Sequence, residues 1–115
     1  MLKWLTGSVA QEAAPEIDFD RLEQEELAVV FKHSTSCPTS SWADRQIRTF
    51  RAEHPTVPVY KVLVREQRPL SNRLADWTGV EHESPQVIVL RRGKVAASMS
   101  HGEVTSDNVA AALEG

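Results

Sequence analysis

The stretch Leu27-Ala28-Val29-Val30-Phe31-Lys32-His33-Ser34-Thr35-Ser36-Cys37-Pro38-Thr39-Ser40-Ser41-Trp42 decides how the chain folds. Leu27–Lys32 is a compact apolar run with β-branched residues, the pattern of a strand buried on both faces. His33–Ser36 is a polar loop. Cys37-Pro38 then opens a helix, because proline suits the first helical position, where its missing N–H would have no partner in any case. Trp42, Ile47 and Phe50, with Ala43 between them, form a buried stripe. The helix runs to about His54 and Pro55 stops it.

On the N-terminal side, residues 1–16 read as a lead-in segment and 17–115 as the domain, with one or two helical turns between Asp18 and Glu26 that turn Phe19 and Leu22 to one face. On the C-terminal side, Val57–Val64 is a second strand. Arg68–Trp77 is a second long helix, with Pro69 in its first turn, Leu70, Leu74 and Trp77 on one face, and Gly79 as its stop. Pro85–Leu90 is a third strand, Arg92-Gly93 a hairpin turn and Lys94–Met99 a fourth strand. Thr105 or Ser106 caps a final helix to Leu113. The order β-α-β-α-β-β-α predicts an α/β, thioredoxin-like fold: a mixed four-stranded sheet with helices on both faces. Several α/β folds share these elements, so order alone does not decide among them.

A length of 115 residues suits one domain with an adequate core. The net charge of −3, with acids and bases interspersed, argues against a nucleic-acid surface. The apolar start Met1–Leu5 is too short for a signal peptide, and no run approaches the roughly 20 apolar residues of a membrane span. A single cysteine permits no intramolecular disulfide and points to a reducing compartment. A cytoplasmic protein, a monomer or weak dimer with no membrane partner, is expected.

Cys37 carries the chemistry. A helix N-terminus presents unpaired N–H groups and the positive end of the dipole, and both favour a thiolate, the form that attacks disulfides. The amides of Thr39 and Ser40 are the candidate donors, Pro38 having none, and the Ser40 hydroxyl one turn on is another. Lys32 and His33 would add charge if they point toward the sulfur. A lone cysteine is commonly a buried apolar filler, but placement after a strand, in a Ser/Thr-rich loop before proline, favours a reactive thiol. Ser40 stands where a Cys-x-x-Cys site has its second cysteine, so a mixed disulfide on Cys37 must be resolved by an external thiol. Ser84-Pro85 precedes the third strand; the dipeptide alone reads as a trans proline that starts an edge strand, but thioredoxin-like folds place a cis-proline beside the cysteine, and with this element order the cis form is expected. His33, His54, His82 and His101 lack ligand spacing, so no metal site is expected and they read as surface or loop residues, with His33 the one placed to tune Cys37. Arg65-Glu66-Gln67-Arg68 reads as a solvated loop, or else as a binder of an anionic thiol. Trp42 and Trp77 read as core.

Three blocks, Phe31–Ser41, Arg68–Asn72 and His82–Val87, resemble in the same order the monothiol bacilliredoxin family, thioredoxin-like proteins of the bacillithiol system. The resemblance spans about residues 17–112 and matches the family's redox cysteine to Cys37 and its cis-proline to Pro85. It implies a bacterial thiol–disulfide oxidoreductase without a bound cofactor. Such a protein takes bacillithiol, as a low-molecular-weight co-substrate, from S-bacillithiolated proteins onto Cys37. Cys37 and Ser40 would be the catalytic residues, and Thr35, Ser36, Pro38, Thr39, Ser84 and Pro85 would shape the substrate groove. The same fold also admits an adaptor with an incidental cysteine, or a redox sensor that forms a Cys37–Cys37 disulfide between two chains.

Overall fold

In the computed structural model, which describes residues 17–114, four strands and four α-helices follow the predicted order. They are α1 (Phe19–Gln24), β1 (Ala28–His33), α2 (Pro38–Glu53), β2 (Val59–Leu63), α3 (Arg68–Thr78), β3 (Gln86–Arg91), β4 (Lys94–Ser100) and α4 (Ser106–Glu114). The expected lead-in over residues 1–16 lies outside the described residues. Among the described residues no helix is long and apolar enough to cross a membrane.

The sheet order is β2-β1-β3-β4. β1 lies between a parallel partner, β2, in the register Val29↔Val59, and an antiparallel one, β3, in the register Val30↔Ile88. Every residue of β1 is buried, as a central strand covered on both faces requires. Alternation divides it. Ala28 and Val30 join Leu22 of α1 and Leu74 of α3 in one cluster. Val29 and Phe31 join Ala43, Ile47 and Phe50 of α2 and Val109 of α4 in the other. Each of the fully buried valines, and Phe31, contributes about 1.5–3 kcal/mol of burial as an upper bound.

Local chemistry places the ends of the elements. The Asp18 carboxylate caps α1 by accepting from the amides of Asp20 (3.0 Å) and Arg21 (3.3 Å). Gly79 ends α3 in the left-handed region at φ 75, and its amide donates to Ala75 O at 2.9 Å. Arg92 and Gly93, at φ 51 and 80, form the β3–β4 turn. A Cβ on Gly93 would stand 3.0 Å from the backbone of Glu23, so the turn also needs glycine to lie against α1. The hairpin register shifts between Val89 and Leu90, which makes a β-bulge.

Three details depart from expectation, and one open choice is decided. His33 belongs to β1 rather than to the loop, because its carbonyl accepts from Val64 N at 2.9 Å and its ring packs against Phe31 at 5.6 Å. β2 is shorter than the run 57–64, since Pro58 has no amide to offer the ladder, although its carbonyl still accepts from Val29 N at 3.0 Å. A 3-10 turn, His101–Glu103, follows β4, and its His101 amide donates to Pro85 O at 2.9 Å. Of the two candidate caps, Thr105 caps α4, with its hydroxyl accepting from Asn108 N at 3.0 Å.

Candidate active site

Cys37 is the N-cap of α2, with Pro38 in the first turn, and its thiol is partly exposed. Its amide donates to Ser34 O at 3.3 Å and its carbonyl accepts from Ser41 N at 3.2 Å, so the backbone on both sides of the sulfur is held. Cys37 titrates below its ordinary value. The Ser40 amide is the main cause and the Thr39 amide the next; desolvation opposes them, and the hydroxyls of Ser40 and Thr39 add to the lowering. Pro38 offers no N–H, so the first two free amides of the helix serve the sulfur.

Ser40 is fully buried, and its Oγ accepts from Ser34 N at 3.2 Å. With that acceptor role taken by the loop amide, its hydroxyl hydrogen is left for the sulfur. One side chain thus closes the loop 34–37 and donates to the thiolate. Ser36 bonds to Ser34 (Oγ to Oγ, 3.2 Å) and accepts from Arg65 Nη1 at 3.3 Å. Thr35, Ser36, Pro38 and Thr39 are all exposed around the cysteine.

The Ser84–Pro85 peptide bond is cis, as the element order predicted. Pro85 is buried, and the Ser84 Oγ is buried with no partner among the described residues. Lys32 pairs with Gln86 across β1 and β3, so the end of β1 that leads to Cys37 and the start of β3 that follows Pro85 lie at the same end of the sheet. Trp42 corrects the core reading in part. It is half-buried, and with Pro38, Thr39 and Gly102 it lines a shallow surface depression beside the cysteine loop. Trp77 keeps its core role, edge-on to Phe19 with ring centroids 5.0 Å apart.

Lys32 and His33 do not supply charge to the sulfur. Strand alternation sends Lys32 to the α3 side, where it is fully buried, donates to Ser71 O at 3.1 Å and lies 3.3 Å from His82 Nδ1. Burial lowers its pKa. His33 goes to the α2 side. Its pKa is lowered by burial and then by Lys61, against the pull of Asp44, and this keeps the ring uncharged at neutral pH. His33 is therefore not the surface residue expected from its sequence. His82 and His101 are exposed, and His101 Nε2 stands 2.6 Å from Glu83 Oε1. Among the described residues no three His, Cys, Asp or Glu side chains come together as a metal site would need.

Sequence reasoning missed the cluster beside His33. Asp44 of α2 accepts from Lys61 Nζ of β2 at 2.9 Å and from Arg48 at 2.8 Å. Burial alone would raise the Asp44 pKa, but Lys61, Arg48 and His33 outweigh it and hold it below the ordinary value. The only signal in the sequence was the i, i+4 spacing of Asp44 and Arg48. The Lys61 contact crosses from helix to strand and has no sequence signature.

The monothiol bacilliredoxin family model, BrxC, matches residues 12–109. The chain belongs to the monothiol bacilliredoxin family. Solved structures agree on the fold. One, described as a thioredoxin-fold protein and a candidate oxidoreductase, shares 32% identity over 81% of this chain and 82% of its own, with a TM-score of 0.76. Reduced desulfothioredoxin from Desulfovibrio vulgaris Hildenborough shares 26% identity over 86% and 89%, with a TM-score of 0.65. Thioredoxin f2 from Chlamydomonas reinhardtii, at 21% identity over 85% and 91% and a TM-score of 0.64, supports the fold alone. This bacilliredoxin thus has a thioredoxin-like fold and a thiol-redox function of the general kind its family carries, with a single cysteine that fits the monothiol description.

Proposed function

We propose that this bacilliredoxin is a cytoplasmic thiol–disulfide oxidoreductase that removes bacillithiol from S-bacillithiolated proteins through Cys37, with the domain from residue 17 onward as the working unit. The observation that carries the reading is the Cys37 sulfur, partly exposed at the start of α2 and lowered in pKa chiefly by the Ser40 and Thr39 amides.

The Cys37 thiolate attacks the bacillithiol sulfur of the mixed disulfide. A Cys37–bacillithiol disulfide forms, the protein–bacillithiol disulfide breaks, and the protein thiolate leaves and takes a proton from water. A second bacillithiol thiolate then attacks the bacillithiol sulfur held on Cys37. Oxidised bacillithiol departs and the Cys37 thiolate is restored, so one free bacillithiol is consumed and one protein thiol released for each mixed disulfide. Ser40 stabilises the thiolate as attacker and again as leaving group. No second cysteine is present to intercept the intermediate, so the external thiol is required. Thr35, Ser36, Pro38 and Thr39 border the attack position. Ser84 and Pro85 offer backbone to an extended segment of the substrate protein, in the manner of strand addition.

Incubation with oxidised bacillithiol and intact-mass measurement tests this. A single adduct on wild type that is absent in Cys37→Ser supports exchange. No adduct across a pH series up to the ordinary thiol range refutes it and favours an adaptor. A disulfide-linked dimer on a non-reducing gel as the sole product of mild oxidation favours a sensor.

A further inference from the structure

The cluster around Asp44 borders a cavity of about 410 Å³ on the β2 flank of the cysteine loop. Thr35 and Ser41 form its edge toward Cys37, and Arg45, Arg48 and Lys61 bring cations to it. Helix geometry explains the arrangement. Cys37, Ser41 and Arg45 recur every four residues along one face of α2, and Arg48 follows a turn later. At 1.5 Å per residue Arg45 sits only about 12 Å from the cysteine along the axis, and helical side chains lean back toward the N-terminus. Asp44 lines the same cavity, and the Glu66 carboxylate acts on His33 from nearby, while Arg65 adds a further cation at Ser36. Cations therefore exceed carboxylates here in a chain whose net charge is −3.

His33 lines this cavity with only 6% of its surface exposed, and the Ser40 backbone and the Asp44 carboxylate both act on its ring. Another surface cavity, of about 550 Å³, lies at the far end of α2, between Arg51, His54 and Tyr60, and none of its lining residues belongs to the cysteine loop.

We propose that this cavity binds the carboxylate-bearing end of the low-molecular-weight thiol half of the disulfide under attack, with Arg45, Arg48 and Lys61 as the anion contacts. The volume is that of a small-molecule site rather than a protein footprint. The proposal rests on the exchange reading above and adds the charge class of the small thiol and its place. The small thiol lies on the β2 side of Cys37, which leaves the Pro85 side to the protein partner.

The test measures the second-order rate of Cys37 with dianionic 5,5′-dithiobis(2-nitrobenzoate) and with dicationic cystamine, in wild type and in an Arg45→Gln/Arg48→Gln variant. Both arginines are exposed, so the fold tolerates the change. The anionic probe should slow about tenfold in the variant while the cationic probe does not slow, and 1 M salt should largely abolish that difference between wild type and variant. An anionic-to-cationic rate ratio unchanged within twofold, or an equal fall for both probes, overturns the cavity proposal. Wild-type failure to react with either probe overturns the exchange reading itself, so the two failures are distinct.

Discussion

Asp44→Asn separates two effects of one carboxylate: it ties β2 to α2, and it dilutes the positive charge of the cavity beside Cys37. The Asp44 side chain is 12% exposed, whereas its partners Lys61 and Arg48 are 38% and 74% exposed. The Arg48 pair, open to water, contributes roughly a few tenths of a kcal/mol. A charge-assisted hydrogen bond such as that from Lys61 is worth about 1.5–3 kcal/mol when sheltered, and solvent screening at the part-exposed ammonium reduces it to about 1–2 kcal/mol. The variant should therefore lose about 1–2 kcal/mol at pH 7, or about 4–9 °C of melting temperature for a domain of this size. The pH dependence has a definite sign. The folded pKa of Asp44 lies below its ordinary 3.8, so its stabilisation is fully present above that value and is lost as pH falls through the lower folded value. Wild type and variant should converge in strong acid. Reactivity should move the other way: with one negative charge gone, the anionic-to-cationic rate ratio should rise several-fold at low salt. Thermal melting from pH 7 downward and stopped-flow rates with the two disulfide probes read both effects. Equal stability at pH 7, or a ratio that stays level or falls, refutes the assignment.

Other perturbations probe the rest of the site. Ser40→Ala removes a hydroxyl donor to the sulfur, so the pH midpoint of Cys37 alkylation should move upward; an unmoved midpoint would contradict the role given to Ser40. Ser40→Cys places a second thiol where the serine now faces Cys37. The oxidised variant should show an intramolecular disulfide by a mass loss of about 2 Da, and lasting mixed disulfides instead would show that the two side chains do not face each other. Lys32→Met exchanges a buried ammonium for an apolar chain of similar length and should leave stability unchanged or raise it by up to about 2 kcal/mol in urea unfolding; a clear loss would mean that the Ser71 contact outweighs desolvation. His82 is lowered by burial, then by Lys32 and Arg68. The unfolded chain therefore binds the proton more readily, and stability falls as pH drops below 6.5. Lys32→Met should lessen that fall, and an unchanged slope between pH 7 and 5 would remove Lys32 as a cause.

Local chemistry alone settled much of this protein. The apolar run into Cys37-Pro38 defined β1 and the start of α2, since burial pattern and the missing proline amide act within a few residues. Gly79 and Arg92-Gly93 likewise announced a helix stop and a hairpin, because a left-handed backbone is a property of the residue itself. The place of Cys37 at the start of α2 and the lack of a second cysteine in the sequence were legible for the same reason. What the sequence could not carry were contacts between elements. The parity of β1 sends Lys32 and His33 to opposite faces, and only the elements packed there decide that Lys32 meets Ser71 and that His33 lies beside the Asp44–Lys61 pair. Arg65 reaches Ser36, and the 3-10 turn reaches Pro85, across gaps of many residues. Such pairings depend on how the sheet brings its strands together, and no spacing along the chain records that distance.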